Sequence, residues 1–182
     1  MSSKLTRFLQ HYRVFFGFVF AVVFLVFSRP AAAWMAGGFA LALVGLAIRM
    51  WACGHIRKEK ALDTSGPYAY TRNPLYFGSF IVAIGFGLAS GSWWLAALTI
   101  AFFASIYLPV INVEAEELED VLGEEYTEYA LNVPLFFPRL TAWKKSGRKF
   151  DFQLYLRHGE FNAALGLLAA AAILALKAYY YF

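Results

Sequence analysis

Five apolar runs, each near the length of a bilayer crossing, constrain any fold open to this chain. They are Phe8 to Phe27, Ala31 to Cys53, Pro74 to Ala89, Trp93 to Val113 and Phe161 to Phe182, the last interrupted only by Lys177. A spanning helix takes about 20 residues, and backbone in hydrocarbon must satisfy its own hydrogen bonds, which helices do. At 60% hydrophobic and 15% charged residues, with mean hydropathy +0.55, a soluble domain of this length could not bury its apolar surface. The expectation is an all-α, multi-pass membrane helical bundle of about five transmembrane helices. The chain reads as one domain over 1–182, with N-terminal spans in 1–53, core motifs in 54–138, and a basic segment and last span in 139–182. The first run reads as a span rather than a cleaved signal, because it is long for a signal core and further spans follow.

Lysine and arginine fix an expected orientation. They collect at Lys4, Arg7 and Arg13; at Arg57, Lys58, Lys60 and Arg72; and from Arg139 through Lys144, Lys145, Arg148 and Lys149 to Arg157. With five spans these groups share one side, so the positive-inside rule puts the N-terminus and both long polar segments in the cytoplasm, and the C-terminus opposite. Trp93, Trp94 and Tyr179 to Tyr181 then meet the outer interface. The net charge of +4 accordingly records topology, not nucleic-acid binding. The single cysteine, Cys53, excludes an intramolecular disulfide and reads as a buried filler. His11, His55 and His158 lie too far apart in sequence to suggest a metal site. The pairs Gly17/Ala21, Gly38/Ala42, Ala83/Gly87 and Gly87/Gly91 allow close helix approach. The Gly85 to Gly91 stretch resembles a dinucleotide loop only in spacing, since no strand precedes it.

The chemistry falls to two polar segments on the cytoplasmic face. The first, Gly54 to Asn73, is basic and aromatic. Asn73 is a suitable N-cap and Pro74 suits the first helical position. Backbone N–H groups there form an anion site, and Arg72 adds a forked donor beside it. Arg72 alternatively pairs with acidic residues or snorkels to headgroups. Tyr68, Tyr70 and Tyr76 suit interfacial anchoring or a ligand. Arg49, near the end of the second span, snorkels or lines a polar cavity. His55 suits a loop or interfacial role better than that of a base. The second segment, from Asn112 to Pro138, carries Glu114, Glu116, Glu117, Glu119, Asp120, Glu124, Glu125 and Glu128, with no lysine or arginine between Arg72 and Arg139. Ala115, Leu118, Leu122, Tyr126, Tyr129 and Val133 recur at helical spacing, so one amphipathic helix is expected up to Val133-Pro134. Most of its acid faces solvent, while Glu114 and Glu125 sit at the edge of the apolar face, from which Glu114 could point inward.

Together these residues resemble a known family. Gly66-Pro-Tyr-x-Tyr-x-Arg72-Asn-Pro-x-Tyr76-x-Gly78, followed by Glu114-x-x-x-Leu118-x-x-x-Leu122-Gly123-x-x-Tyr126-x-x-Tyr129-x-x-x-Val133-Pro134, is similar to the isoprenylcysteine carboxyl methyltransferases, related to the phospholipid N-methyltransferases. The resemblance covers about Arg49 to Pro138 by motif and the rest by hydropathy. It implies transfer of a methyl group from S-adenosyl-L-methionine, held in a cytoplasm-facing pocket, to a lipophilic acceptor that enters from the bilayer among the membrane lipids, with no metal. It further implies catalytic roles for Arg72 and Glu114. Cofactor contacts would fall to Gly66, Tyr68, Tyr70, Asn73, Pro74, Tyr76 and Tyr126, and acceptor contacts to Arg49, His55 and Tyr129. The chain departs from the family pattern at Asn73, where histidine is usual, at Lys60, often histidine, and at Ala115, usually a second glutamate. These departures bear on acceptor identity and proton handling. Three other readings stay open: a phospholipid amine N-methyltransferase, an NADPH-dependent membrane sterol or steroid reductase, and a non-catalytic membrane scaffold.

Overall fold

The structure, a computed structural model, describes residues 4–56, 62–144 and 148–181. Arg57, Lys58, Lys60, Lys145 and Phe182, singled out above, lie outside the described residues. The described residues form a helical membrane bundle without strands: α1 (Lys4–Phe27), α2 (Ala32–Cys53), a 3₁₀ turn (Gly66–Ala69), α3 (Pro74–Ala89), α4 (Trp93–Leu122), α5 (Glu124–Asn132), α6 (Phe152–Arg157) and α7 (Phe161–Tyr181). Among them α2, α4 and α7 are long and apolar enough to cross a membrane, while Phe15–Phe27 and Pro74–Ala89 are shorter apolar helices. At 1.5 Å per residue, the 16 residues of α3 reach about 24 Å, short of a hydrocarbon core of about 30 Å.

Helices α2 and α3 pack backbone against backbone, because glycine lets them. A Cβ on Gly38 would stand 2.4 Å from the Gly85 carbonyl oxygen, one on Gly45 2.6 Å from that of Gly78, and one on Gly85 2.5 Å from that of Gly38. The Gly85 to Gly91 stretch thus begins as a helix-packing face, the small-residue mode of membrane helices. Replacing Gly45 by alanine forces the pair apart. We expect a loss of about 1–3 kcal/mol, read as a lower melting temperature of the detergent-purified protein.

The lone cation of the last apolar run has a structural use. Lys177 Nζ donates to the carbonyls of Leu25 (2.6 Å), Val26 (3.0 Å) and Ser28 (2.8 Å) at the end of α1. The Leu25 and Val26 carbonyls belong to the last turn of α1, which lacks intrahelical donors, so the half-buried ammonium caps that end together with the Ser28 hydroxyl, which donates to Leu25 (3.2 Å). On the same side Phe27 packs edge-on against Trp94, and Trp34 against Trp93.

At the opposite end, α4 continues beyond its apolar part as a single helix through Glu114 to Leu122. The one amphipathic helix expected up to Val133 is instead two. Gly123, at φ +56° and ψ −128°, breaks it, and α5 starts at Glu124. No side chain tolerates that conformation well. Across the break Tyr126, Tyr129 and Val133 are buried and pack with Ala115 and Leu122 of α4 and with Trp143. The apolar periodicity thus marks burial at Tyr126, Tyr129 and Val133, whereas Leu118 of the same pattern is exposed, and the glycine bends the axis. Gly123→Ala should cost about 1–3 kcal/mol through backbone strain, measurable as a lower unfolding temperature.

After α5 the chain returns as a strap over the 3₁₀ turn. Arg72 N–H donates to the Pro134 carbonyl (3.0 Å), Arg139 N–H to that of Tyr70 (2.9 Å) and Trp143 N–H to that of Ala69 (3.0 Å). Such long-range backbone pairs satisfy groups that a non-helical segment would otherwise bury unpaired. They hold Tyr68 to Arg72 in one place.

Candidate active site

The polar end of the bundle encloses a cavity of about 390 Å³, within the range of small-molecule sites. One wall is the 3₁₀ turn and the start of α3, giving Tyr68, Arg72, Asn73, Pro74 and Tyr76. The facing wall is α4 and α5, giving Glu114, Tyr126 and Tyr129. Arg72 and Glu114, 42 positions apart in the sequence, thus line the same space.

Two hydrogen bonds tie these walls together. Arg72 Nη1 donates to Tyr126 Oη (3.1 Å), with the guanidinium carbon 5.6 Å from the centre of the Tyr126 ring. Tyr76 Oη donates to Glu114 Oε1 (2.8 Å). Each bond joins a residue of the first motif to one of the second. Tyr129 Oη donates to the Tyr68 carbonyl (2.7 Å). Burial pushes the Tyr68 hydroxyl well above the usual tyrosine range, with Cys53, Tyr129, Asp63 and Glu160 adding to the rise. Burial does the same to Tyr129, with Tyr126 adding to the rise, and outweighs the lowering effect of Arg72. Both phenols therefore stay neutral near pH 7. Among the described residues, Tyr68 Oη and Arg72 Nε are buried without a hydrogen-bond partner, a costly condition unless a ligand or water supplies one.

Asn73 occupies the position before α3, but its side chain does not cap the helix. Its Nδ2 donates to the Leu135 carbonyl on the strap (3.0 Å). The expected cap is thus replaced by a tether, and the first turn of α3 faces the cavity through Pro74, Leu75 and Tyr76.

Four residues from the sequence reading lie off the cavity wall. Arg49 forms an ion pair with Glu160 (2.7 Å) and also donates to Ser79 Oγ, joining α2, α3 and the start of α7. His55 Nδ1 faces the Trp51 carbonyl (2.9 Å). A carbonyl only accepts, so Nδ1 is the donor in this contact. Gly66, at φ +54°, lies against that imidazole, where a Cβ would meet ring atoms at 2.6 Å. Tyr70 packs its ring near Trp51, with centroids 6.0 Å apart. These four support the wall without lining it.

Asp63 does line the cavity, and the sequence reading passed it over. Its local signal was an Asp-Thr-Ser-Gly turn: Ser65 N–H (3.0 Å) and Oγ–H (2.6 Å) both donate to Asp63 Oδ1, as aspartate does two residues ahead of a turn.

A second cavity, of about 330 Å³, opens among α1, α3, α4 and α7, lined by Phe20, Phe24, Phe86, Phe102 and Tyr107 and on α7 by Leu174. The Tyr107 ring lies 5.8 Å from that of Tyr76, so this tyrosine pair joins a wall of the chamber that carries Arg72 and Glu114 to a wall of the apolar one. Among the described residues no group of three or more His, Cys, Asp or Glu is arranged to hold a metal.

Fold and site together define a helical membrane protein with a chamber at one end of the bundle whose wall carries Asp63, Arg72 and Glu114, and with an apolar chamber between its helices. The chain belongs to the phospholipid methyltransferase family, whose sequence profile matches residues 19–125. It is 33% identical over 159 residues to the cobalt-zinc-cadmium resistance protein CzcN of Cupriavidus metallidurans, covering 79% of this chain and 72% of that protein. It is 38% identical over 109 residues to the nickel-cobalt-cadmium resistance protein NccN of Alcaligenes xylosoxydans xylosoxydans, covering 59% of this chain and 49% of that protein. It is 32% identical over 81 residues to the protein-S-isoprenylcysteine O-methyltransferase of Schizosaccharomyces pombe, covering 44% of this chain and 34% of that enzyme. No solved structure matches. Family membership and the last of these relatives support a membrane methyltransferase.

Proposed function

We propose that the protein transfers a methyl group from S-adenosyl-L-methionine to a lipophilic acceptor, an isoprenylcysteine-type carboxylate or a related lipid, at the cytoplasmic face of the membrane. The observation that carries this reading is the convergence of Arg72, Tyr76, Glu114 and Tyr126 on one chamber, next to an apolar chamber reached between helices. The chamber's groups suit the donor. Its carboxylate matches the Arg72 fork and the α3 start, its amine and hydroxyls match acceptors such as Glu114, and its cationic sulfur matches tyrosine faces.

Bound there, the donor supplies an activated methyl group, and the protein's own work is alignment and exclusion of water. Arg72, braced by Tyr126, holds an anionic group in a fixed direction. Glu114, held by Tyr76, fixes a donor amine or hydroxyl, or orients the acceptor. Tyr68 and Tyr129, kept neutral by burial, offer hydrogen bonds and no charge. The apolar tail lies in the second chamber, and the Tyr76–Tyr107 pair marks where the reacting head passes into the first. A carboxylate acceptor needs no base. An amine acceptor gives up a proton, for which Glu114 is the nearest carboxylate at Tyr76.

In this reading all five apolar helices are membrane-embedded, with the N-terminus cytoplasmic and the C-terminus opposite. Equilibrium binding of S-adenosylhomocysteine and of NADPH to detergent-purified protein tests the donor. The methyltransferase reading expects the first to bind in the micromolar range or tighter and the second not to compete. Binding of NADPH alone would point to a reductase, and binding of neither to a scaffold.

A further inference from the structure

Asp63 is a buried carboxylate that the reaction as described does not use. Its side chain is 5% exposed, and it lines the chamber that holds Arg72 and Glu114. A carboxylate so withdrawn from water needs hydrogen bonds on both oxygens. Only one oxygen has them. Oδ1 accepts the two bonds from Ser65, whereas Oδ2 is buried with no hydrogen-bond partner among the described residues. Arg148, from the basic segment, approaches Oδ2 to 3.6 Å with its side chain 51% exposed. That is an ion pair beyond hydrogen-bond reach. The Ser65 bonds hold the carboxylate in one orientation, so the unsatisfied oxygen is fixed in place. A second orphan, Tyr68 Oη, belongs to a residue that lines the same chamber, and Asp63 and Tyr68 flank Ser65 and Gly66 in the sequence.

A fixed, buried, half-satisfied carboxylate calls for N–H or O–H donors. We infer that Asp63 Oδ2 is a docking point for the water-soluble methyl donor, accepting hydrogen bonds from its ribose hydroxyls or its α-ammonium, an assignment that rests on the methyl-donor reading. This gives the chamber an acidic anchor apart from Glu114, leaving Glu114 and Tyr76 to the reacting end. It also gives the Asp63-Thr-Ser-Gly66 turn a purpose in binding, because Ser65 sets the direction of the carboxylate. Arg148 screens the carboxylate from the solvent side and is not itself a ligand contact.

Binding of S-adenosylhomocysteine to the detergent-purified full chain tests this without turnover. Asp63→Asn keeps the shape and removes the charge; it should weaken binding about 10- to 100-fold, the value of a charge-assisted hydrogen bond, with the melting temperature of the unliganded protein little changed. Arg148→Gln should leave the affinity within about threefold of wild type, as expected of an exposed ion pair. The 2′-deoxy and desamino forms of the ligand identify the group: the form bound equally by wild type and Asp63→Asn lacks Asp63's partner. Wild-type affinity in Asp63→Asn, or the same loss with both altered ligands, overturns the inference and leaves the methyl-donor reading standing. Failure of the wild-type protein to bind S-adenosylhomocysteine overturns both.

Discussion

Arg72→Ala should lower methyl transfer by about 10²–10³-fold, the usual loss when a preorganised donor is removed from an active site, while the protein still inserts and purifies. Arg72 is held at its backbone and at one guanidinium nitrogen, while Nε has no hydrogen-bond partner among the described residues. Its backbone N–H is pinned to Pro134, its Nη1 is bonded to Tyr126, and its flanking Thr71 Oγ1 donates to the Phe136 carbonyl at 2.8 Å. The Arg72 backbone anchor survives the substitution, so the fold persists and the lost charge is what the assay reads. Arg72→Lys should recover little, because an ammonium cannot reproduce a two-pronged contact. Initial rates with saturating and limiting donor separate the two ways of failing: a raised KM at constant kcat marks lost donor binding, and equal loss in kcat and kcat/KM marks lost alignment.

Glu114→Gln should reduce turnover by about 10²-fold. The amide keeps the volume and can still accept from Tyr76, so packing is preserved and only the negative charge goes. Tyr76→Phe removes the partner instead and should cost less, about tenfold, because Glu114 remains charged but less well directed. The order Gln worse than Phe is the informative result. If Tyr76→Phe were the more damaging, Tyr76 itself would be the group contacting the ligand, and Glu114 its support.

Much of this was legible in the sequence, for identifiable reasons. The apolar runs give α2, α3 and α7 almost to the residue, since membrane helices are specified by local hydropathy alone. Arg72, Asn73, Pro74 and Tyr76 share a wall because they share a helix start, and Tyr126 and Tyr129 share a buried face because they lie three apart on a helix. What stayed hidden depends on pairings across long separations. Arg49 finds Glu160, 111 positions on, and so supports the helices instead of lining the chamber. Asn73 turns from its own helix to Leu135 because the strap offers a carbonyl 62 positions away. Local capping preference lost to a tertiary bond. Gly123 looked like one residue of an amphipathic pattern, and only the backbone reveals its positive φ. Asp63 sits among polar turn residues, and nothing in its neighbours announces that it will be buried at the chamber wall.

The central claim is that one chamber brings a soluble methyl donor to a lipid-borne acceptor. Its most direct test is incubation of the purified protein with a donor carrying a radiolabelled methyl group and total membrane lipid, followed by extraction and separation of the lipid phase. Label in an organic-soluble product, present with wild type and reduced about 10²-fold or more with Arg72→Ala and Glu114→Gln, is the predicted result. A lipid phase without label from protein that binds the donor, or equal labelling by wild type and Arg72→Ala, would contradict it.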